Sequence, residues 1–371
     1  MKKTRIFAIV MAMAMLMSCL FAGSAFAADA LKIGATGPLT GDASSYGISV
    51  NQGANLAVEE INAAGGVNGY ELEFNMIDDK AAAADATTGF GQLMDWGMQA
   101  SLGSVTSGSC EAFGQQAAQY HVFFLTPSAS AASVIATGDT AFRVCFGDPD
   151  QGTLAAQELT SRFEKIGCIY DTSDTYSAGI YAAFDEEMKN LGVEYQTFTF
   201  DQDNKKSFSA QVEALKDCQV IFCPFYYTEA SLVAKECSSS GHGDILLFGC
   251  DGFDGLAPLL DDTVTNPIEY ITPFDVESTD EKTAAFVANY TEKYGAAPDQ
   301  FAADGYDCIY TIAALLEAAG VEDTSIDFAS LADILVAQIT ADDFSYDGVT
   351  GTMTWDASGA STKIPVIVIL N

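Results

Sequence analysis

Strand-like and helix-like segments alternate along almost the whole chain of 371 residues. Short apolar runs such as 31–35 and 122–126 are separated by longer segments in which apolar residues recur every three or four positions. A second group of alternating segments lies between 168 and 249, and strand-like runs return at 352–355 and 364–370. This alternation is typical of parallel sheets whose strands are joined by crossover helices. The chain is therefore predicted to have an α/β fold.

The segment from Lys32 to Tyr70 contains the first strand, loop and helix of this pattern. Apolar residues alternate up to Ala35, a small-residue loop follows, and apolar residues then recur at helical spacing from Val50 to Ile61. The pair Gly65-Gly66 ends the helix, where a backbone with positive φ is needed. The loop lacks the lysine of a phosphate-binding loop and the spacing of a dinucleotide fingerprint. The free N–H groups at the helix start therefore suit a small polar ligand.

Residues 1–27 have the features of an export signal. A basic start precedes an apolar run from Ile6 to Leu20, and the sequence Ala-Phe-Ala at 25–27 is typical of a cleavage site. We therefore expect the mature chain to begin at Ala28 and to be exported to the periplasm or the cell surface. An alternative is that Cys19 carries a lipid anchor.

The chain is strongly acidic, with a formal net charge of −35 at pH 7. Removal of the signal takes away three basic residues and no acidic ones, which lowers the charge to −38. Phosphate binding needs clustered lysine and arginine, so nucleic acid is excluded as a natural partner, and anionic membranes repel such a chain. The 344 residues left of 371 exceed one comfortable core and predict two lobes.

Eight cysteines remain after the predicted cleavage. No two of them have C-x-x-C spacing, which argues against a metal site or a redox motif. Several begin or end predicted strands, where cysteine acts as a small buried apolar residue. An even number in an exported chain also allows disulfides, so both states stay open. The eight are Cys110, Cys145, Cys168, Cys218, Cys223, Cys237, Cys250 and Cys308.

The sequence lacks the common catalytic motifs. It contains two histidines, no nucleophile elbow, no zinc-protease motif and no EF-hand loop. We therefore expect no enzyme activity, no metal and no cofactor. Aspartate and glutamate are abundant, so an exported hydrolase with a carboxylate pair stays as a minor alternative.

The motifs of the first unit carry a resemblance to a known family. Gly37-Pro38-Leu39-Thr40-Gly41 is followed by Tyr46-Gly47, by the run from Gly53 to Gly69, and by Asp78-Asp79. In this order the motifs resemble the branched-chain-amino-acid-type solute-binding proteins, the type I periplasmic binding proteins that serve ABC importers. The close match covers part of one lobe, and weaker matches continue over most of the chain.

The resemblance implies a two-lobed fold in which each lobe is a mostly parallel sheet flanked by helices and a three-strand hinge joins the lobes. We expect lobe 1 at 28–146 and 275–345, and lobe 2 at 147–274 and 346–371. Ligands of open parallel sheets lie beyond the carboxyl ends of the strands. Two such lobes facing each other make a cleft that closes by hinge motion.

Small and hydroxyl residues follow two predicted strands of lobe 1. Ser107 stands between a strand and a helix, and the resemblance assigns it to the α-carboxylate of an amino acid. Ala129 and Ser130 follow the next strand, and the resemblance implies that they hold the carboxylate and amino groups. Ser109 is better explained as an ordinary residue of the helix start.

Asp251 follows a predicted buried strand of lobe 2. The resemblance assigns its carboxylate to the α-ammonium of the ligand, with Asp254 as the nearby alternative. A carboxylate in a closed cleft needs a cation to offset its desolvation. A turn aspartate before glycine is also common without any such role.

Several aromatic residues occupy positions that close over the ligand in the family. They are Tyr46, Tyr176 and one of the neighbours Tyr226 and Tyr227, between which the sequence does not choose. Aromatic residues on loops give stacking area together with a hydroxyl group. Phe301 is expected to pack within its own helix, with the side-chain pocket as a second possibility.

Together these features predict an extracytoplasmic protein that captures an amino acid, branched-chain, aliphatic or small polar, and delivers it to an ABC transporter permease. The resemblance implies a monomer. The alternatives are a ligand-binding sensor, with amides, urea or aromatic acids as other ligands, and the exported hydrolase.

Overall fold

The computed structural model describes residues 30–363 and 365–370. The predicted signal at 1–27, including Cys19, lies outside the described residues. The described chain forms two main sheets, each flanked by helices, and one small hairpin.

The first sheet contains five parallel strands in the order β2-β1-β3-β4-β5. Leu31, Ile33 and Ala35 of its first strand are buried, as the alternation predicts. The strands are β1 (Leu31–Gly37), β2 (Leu72–Asp78), β3 (Ala100–Ser101), β4 (Phe124–Thr126) and β5 (Ala141–Arg143). We call this sheet and the helices packed on it the first lobe.

The helices of the first lobe come from two separate parts of the chain. The helices between its strands are α1 (Ser44–Ala63), α2 (Ala83–Trp96), α3 (Ser107–Tyr120) and α4 (Ala132–Ile135). Three later helices, numbered in chain order, are α9 (Glu281–Tyr294), α10 (Gln300–Ala318) and α11 (Phe328–Ile339). Helices α1 and α10 approach closely because glycines remove side chains from the contact. A Cβ on Gly305 would lie 2.6 Å from the carbonyl oxygen of Val50.

The second sheet contains six strands in the order β13-β10-β9-β8-β6-β7. All neighbours are parallel except β10 and β13, which are antiparallel. The strands are β6 (Ile166–Asp171), β7 (Gln196–Phe200), β8 (Val220–Cys223), β9 (Leu246–Gly249), β10 (Ile268–Thr272) and β13 (Val366–Ile369). The helices are α5 (Asp148–Arg162), α6 (Thr175–Leu191), α7 (Ser209–Ala214) and α8 (Tyr227–Ser239). This sheet and these helices form the second lobe.

Two sheets of this kind confirm the predicted α/β class and the two-lobed architecture. The strand predicted at 100–105 is shorter in the structure, because only Ala100–Ser101 pairs with neighbours. In the part of the chain that the structure describes, no helix combines the length and the apolar character needed to cross a membrane.

The strands β11 (Tyr346–Gly348) and β12 (Gly351–Met353) pair with each other in an antiparallel hairpin that belongs to neither main sheet. Its residues Val349 and Met353 belong to the same buried core as β1. The indole N–H of Trp355 donates to the carbonyl oxygen of Arg143 at 2.7 Å. The division at 345/346 stays a prediction, and these contacts favour a crossing closer to β13.

All eight cysteines from Cys110 to Cys308 are buried free thiols. Seven of them, all but Cys145, pack among apolar side chains in the cores of the two lobes. Of the two states that the sequence left open, the structure has the reduced one.

A buried ion pair joins the segment before β13 to the first lobe. The ammonium group of Lys363 lies 2.7 Å from a carboxylate oxygen of Asp304 on α10, and both side chains are at most 2% exposed. Burial raises the pKa of Asp304 to about 7, although the charge of Lys363 opposes the rise.

We expect Lys363→Met to destabilise the protein by roughly 3–5 kcal/mol, because the carboxylate of Asp304 then stays buried without its partner. Urea unfolding measures the difference. The control is Lys293→Met, which removes an exposed ion pair with Glu59 and costs at most about 1 kcal/mol. Equal urea midpoints for the two variants would show that the buried ion pair contributes no more to stability than the exposed one.

Candidate functional site

Residues from both lobes meet in a small cavity between the carboxyl ends of the two sheets. We call it the inner cavity; its volume is about 10 Å³, room for roughly one water molecule. Most of the residues predicted for the site line it. Its wall includes Tyr46, Ser107, Tyr176, Tyr226, Asp251 and Phe301.

Asp251 lies just after β9, at the carboxyl end of a central strand of the second lobe. The hydroxyl of Tyr176 donates to its carboxylate at 2.6 Å, and the backbone N–H of Asp251 donates to the side-chain oxygen of Gln151 at 3.1 Å. The residue is 5% exposed. Burial raises the pKa of Asp251 to about 6, so the carboxylate is costly to ionise without a cation.

Ser107 is the first residue of α3 and lines the inner cavity from the first lobe, whereas Asp251 lines it from the second. Its hydroxyl accepts from the backbone N–H of Ala131 at 3.2 Å. The preceding residue, Thr106, is 6% exposed, and its buried hydroxyl has no hydrogen-bond partner. The start of α3 faces the start of α6, since a Cβ on Gly108 would lie 3.8 Å from the hydroxyl of Thr175.

Ala129 and Ser130 are fully buried and follow Ser128, which lines the inner cavity. The N–H of Ala129 already donates to the hydroxyl of Thr126 at 3.1 Å, so this group is occupied. The hydroxyl of Ser130, in contrast, is buried without a partner. The predicted roles of both residues stay predictions, and the free hydroxyl makes Ser130 the better candidate.

Tyr46 reaches from α1 into the second lobe. Its hydroxyl donates to the carbonyl oxygen of Gly252 at 2.5 Å and accepts from the backbone N–H of Tyr227 at 3.2 Å. Its ring is stacked on that of Phe301, with 4.2 Å between the centroids. Phe301 therefore contributes to the wall of the cavity as well as to its own helix.

The structure separates the two neighbouring tyrosines that the sequence could not distinguish. The ring of Tyr226 is stacked on that of Tyr176 at 5.0 Å, and its hydroxyl is buried without a partner. The hydroxyl of Tyr227 instead accepts from the backbone N–H of Ser45 at 3.3 Å, a contact between the lobes. Tyr226 is thus the better candidate for ligand contact.

Asp254, the alternative to Asp251, is already engaged by the start of α10. Its carboxylate accepts from the backbone N–H of Gln300 at 2.8 Å and from that of Gly255 at 3.0 Å. Burial and the neighbouring Asp299 raise its pKa to about 7. These contacts favour Asp251 for the ligand.

Asp148 is a candidate that the sequence reasoning missed. It begins α5 directly after β5, is 1% exposed, and neither of its carboxylate oxygens has a hydrogen-bond partner. Burial raises its pKa well above the ordinary value, although the charge of Arg143 opposes the rise. Its backbone N–H donates to the carbonyl oxygen of Ser130 at 3.0 Å. Its position after a strand was the available clue.

A larger space, which we call the outer chamber, adjoins the inner cavity. Its volume is about 370 Å³, and Thr106 and Tyr226 line both spaces. Six of the fifteen residues on its wall are charged. They are Asp42, Lys80, Asp171, Asp174, Lys205 and Glu229.

The lobes are in contact across the mouth of the cleft. Lys205 of the second lobe lies 3.2 Å from the carboxylate of Asp42 in the first lobe and 3.2 Å from that of Glu229. The hydroxyl of Thr228 donates to the carbonyl oxygen of Asp42 at 2.9 Å. Together with the bonds of Tyr46, these contacts describe a closed cleft.

A closed polar site between two α/β lobes defines a two-lobed binding protein. Residues 30–367 match the family model described as periplasmic binding protein. The chain therefore belongs to the periplasmic binding protein family, and the resemblance predicted from its opening motifs is confirmed.

Relatives with this fold have been described from several bacteria. The chain is 30% identical over 225 residues to the leucine-, isoleucine-, valine-, threonine- and alanine-binding protein of Pseudomonas aeruginosa, over 60% of each protein. A leucine binding protein from Thermotoga maritima has a TM-score of 0.81 at 25% identity, over 91% of this chain and 95% of the other. A branched-chain amino acid transporter substrate binding protein from Streptococcus pneumoniae, solved with isoleucine, has a TM-score of 0.77 at 27% identity, over 92% and 99%.

We expect Asp251→Asn to change how the stability of the ligand-free protein depends on pH. The folded-state pKa of Asp251, about 6, lies above its ordinary value of 3.8, so the folded protein holds a proton that the unfolded chain has released. Raising the pH through this window therefore destabilises the parent by roughly 3 kcal/mol at most. The asparagine variant lacks this loss, so its free energy of unfolding should rise relative to that of the parent between pH 4 and pH 6.

Urea unfolding at pH 4, 5, 6 and 7.5, after refolding to remove bound ligand, measures this difference. The control is Asp261→Asn, an exposed aspartate of the same lobe that bonds only Thr263. The expectation is contradicted if the free energies of unfolding of the Asp251 variant and the parent differ by the same amount at every pH.

Proposed function

We propose that this protein captures an α-amino acid by closing its two lobes and delivers it to the permease of an ABC importer outside the cytoplasm. The observation that carries the proposal is that two groups of opposite charge preference line the inner cavity. The start of α3 at Ser107, which favours an anion, comes from the first lobe, and the buried carboxylate of Asp251, which favours a cation, comes from the second.

The start of α3 suits the α-carboxylate of the ligand. The first N–H groups of a helix have no partner within the helix, and the helix dipole favours an anion there. The unpartnered hydroxyl of Thr106 on the wall of the cavity adds a possible donor, and that of Ser130 lies buried just beyond Ser128 of the wall. Ser107 offers a further donor once its own hydroxyl turns from the N–H of Ala131.

Asp251 suits the α-ammonium group. An ionised carboxylate that is 5% exposed needs a cation to offset its desolvation. The hydroxyl of Tyr176 fixes the orientation of this carboxylate from the second lobe. An amino acid between Ser107 and Asp251 therefore contacts both lobes, and binding favours closure because only the closed state provides both contacts.

The relatives support the class of ligand. All three are named for leucine or branched-chain amino acids, and one of them was solved with isoleucine. These names suggest a branched-chain, aliphatic or small polar amino acid, whereas the site in the inner cavity requires only an α-carboxylate and an α-ammonium group, so the proposed ligand class is the α-amino acids in general. A monomer that binds without turnover fits this role.

We expect Asp251→Ala to weaken amino-acid binding about 30-fold or more, since it leaves the α-ammonium group buried without its counter-charge. Ser107→Ala should have a smaller effect, about tenfold, because only one bond to the carboxylate is lost. Isothermal titration calorimetry with the twenty amino acids, on mature protein refolded to remove ligand, measures both.

The control is Asp261→Ala, in an exposed turn of the second lobe. Normal amino-acid binding by the Asp251→Ala variant would show that Asp251 does not bind the α-ammonium group. Binding confined to amides, urea or aromatic acids would keep the fold and reject the amino-acid ligand. Conversion of the ligand would indicate a hydrolase.

A further inference from the structure

The inner cavity has room for about one water molecule, so its walls must move apart to admit even the α-carboxylate and α-ammonium groups of a ligand, and little space is then left for a side chain. Its volume of about 10 Å³ is bounded by two aromatic stacks, Tyr46 on Phe301 and Tyr176 on Tyr226. Tyr46 is also fixed by two hydrogen bonds to the second lobe. A side chain that starts between Ser107 and Asp251 would have to displace these rings or leave the cavity.

The outer chamber provides an exit for the side chain. It shares Thr106 and Tyr226 with the inner cavity, and its volume of about 370 Å³ is large enough for a long side chain. The hydroxyls of both shared residues are buried without a hydrogen-bond partner. Thr106 is only 6% exposed, so its free hydroxyl indicates a polar group that is still to be bound there.

The charges on the wall of the chamber are not balanced. Lys205 is paired with Asp42 and Glu229, so these three residues already bind each other. The ammonium group of Lys80 lies 3.3 Å from Asp85. Among the ion pairs of the described residues, Asp171 and Asp174 have no basic partner, which leaves two carboxylates facing the chamber.

Local bonds use only part of these two carboxylates. One oxygen of Asp171 accepts from the N–H and the hydroxyl of Ser173, and one oxygen of Asp174 accepts from the N–H of Ser177 at the start of α6. Asp171 is 5% exposed. Burial raises the pKa of Asp174 to about 6, and the charges of Asp171 and Glu229 raise it further.

Resting on the proposed function, we infer that the ligand is an α-amino acid whose side chain ends in a cation, an ammonium or a guanidinium group. The side chain passes Thr106 and Tyr226 into the outer chamber, where Asp171 and Asp174 bind its charged end. A zwitterion with a neutral side chain satisfies Ser107 and Asp251 and leaves the chamber without a counter-charge. A cationic side chain offsets the desolvation of both carboxylates.

The test compares ligands that differ in the terminal charge and little else. Calorimetry on refolded, ligand-free protein measures L-lysine against L-norleucine and L-arginine against L-citrulline. The expected result is that each cation binds at least about tenfold more tightly than its neutral partner, a difference of about 1.4 kcal/mol. Neutral partners that bind equally well or better would overturn this inference and leave the proposed function intact. Binding of no α-amino acid at all would overturn both.

Variants of the chamber give a second, independent readout. Asp174→Asn keeps an oxygen for the cap of α6 and removes the charge, and Asp171→Asn does the same for the turn at Ser173. Each variant should lose most of the preference for lysine over norleucine, while its affinity for norleucine stays the same. The matched control is Asp280→Asn at the start of α9, which also caps a helix with its side chain.

A variant that weakens lysine and norleucine equally would assign Asp174 to the helix cap alone and would contradict the inference. If a variant fails to fold, the comparison of the four ligands on the parent protein still decides the matter, since it needs no substitution.

Discussion

The cost of burying carboxylates governs the cleft between the lobes. Asp251, Asp148 and Asp174 belong to the second lobe: Asp251 lines the inner cavity, Asp174 lines the outer chamber, and Asp148 is 1% exposed. Their charges also act together on the hydroxyl of Tyr226. Arg143 offsets part of the charge of Asp148, whereas Asp251 and Asp174 have no basic partner among the ion pairs of the described residues, so we expect closure to be coupled to the positive charge that a ligand brings. This desolvation cost explains why ligand binding and closure of the lobes are expected to be coupled.

Aromatic residues join the two lobes when the cleft is closed. Tyr46 crosses from the first lobe to bond Gly252 and Tyr227, and one apolar cluster then continues from Val105 and Phe301 into the core of the second lobe. The lobes therefore share apolar surface as well as charge when they are closed. Opening must expose these rings to water, which gives closure a favourable contribution that does not depend on the ligand.

Much of the architecture could be predicted from the sequence because alternating periodicity is a local property. Ser107, Tyr176 and Asp251 could be proposed because the resemblance to the family marks these positions, and Ser107 and Asp251 also follow predicted strands at the edge where parallel sheets bind ligands. The choice between Tyr226 and Tyr227 could not be made, since it depends on which way two adjacent side chains point at the start of a helix. Asp174 looks like a helix cap in the sequence, and its second oxygen becomes notable only when the opposite lobe covers it.

The last crossing of the chain shows the same limit. The strand-like run predicted at 352–355 overlaps β12, which pairs with β11 in a separate hairpin and contributes Met353 to the buried core that contains β1. Periodicity does not specify which of two similar cores a short strand covers. That information lies in long-range contacts such as the one between Trp355 and Arg143, and the division at 345/346 stays a prediction.

The eight buried thiols have a consequence for the handling of the protein. Burial raises the pKa of every one of them, so the reactive thiolate is scarce while the chain is folded. They are distributed over the first lobe, the second lobe and, at Cys145, the segment between them. Each thiol can therefore be modified only when the region around it opens. The native chain thus carries its own set of site-resolved reporters of local unfolding, and an alkylating reagent followed by peptide mapping would read out which lobe opens first.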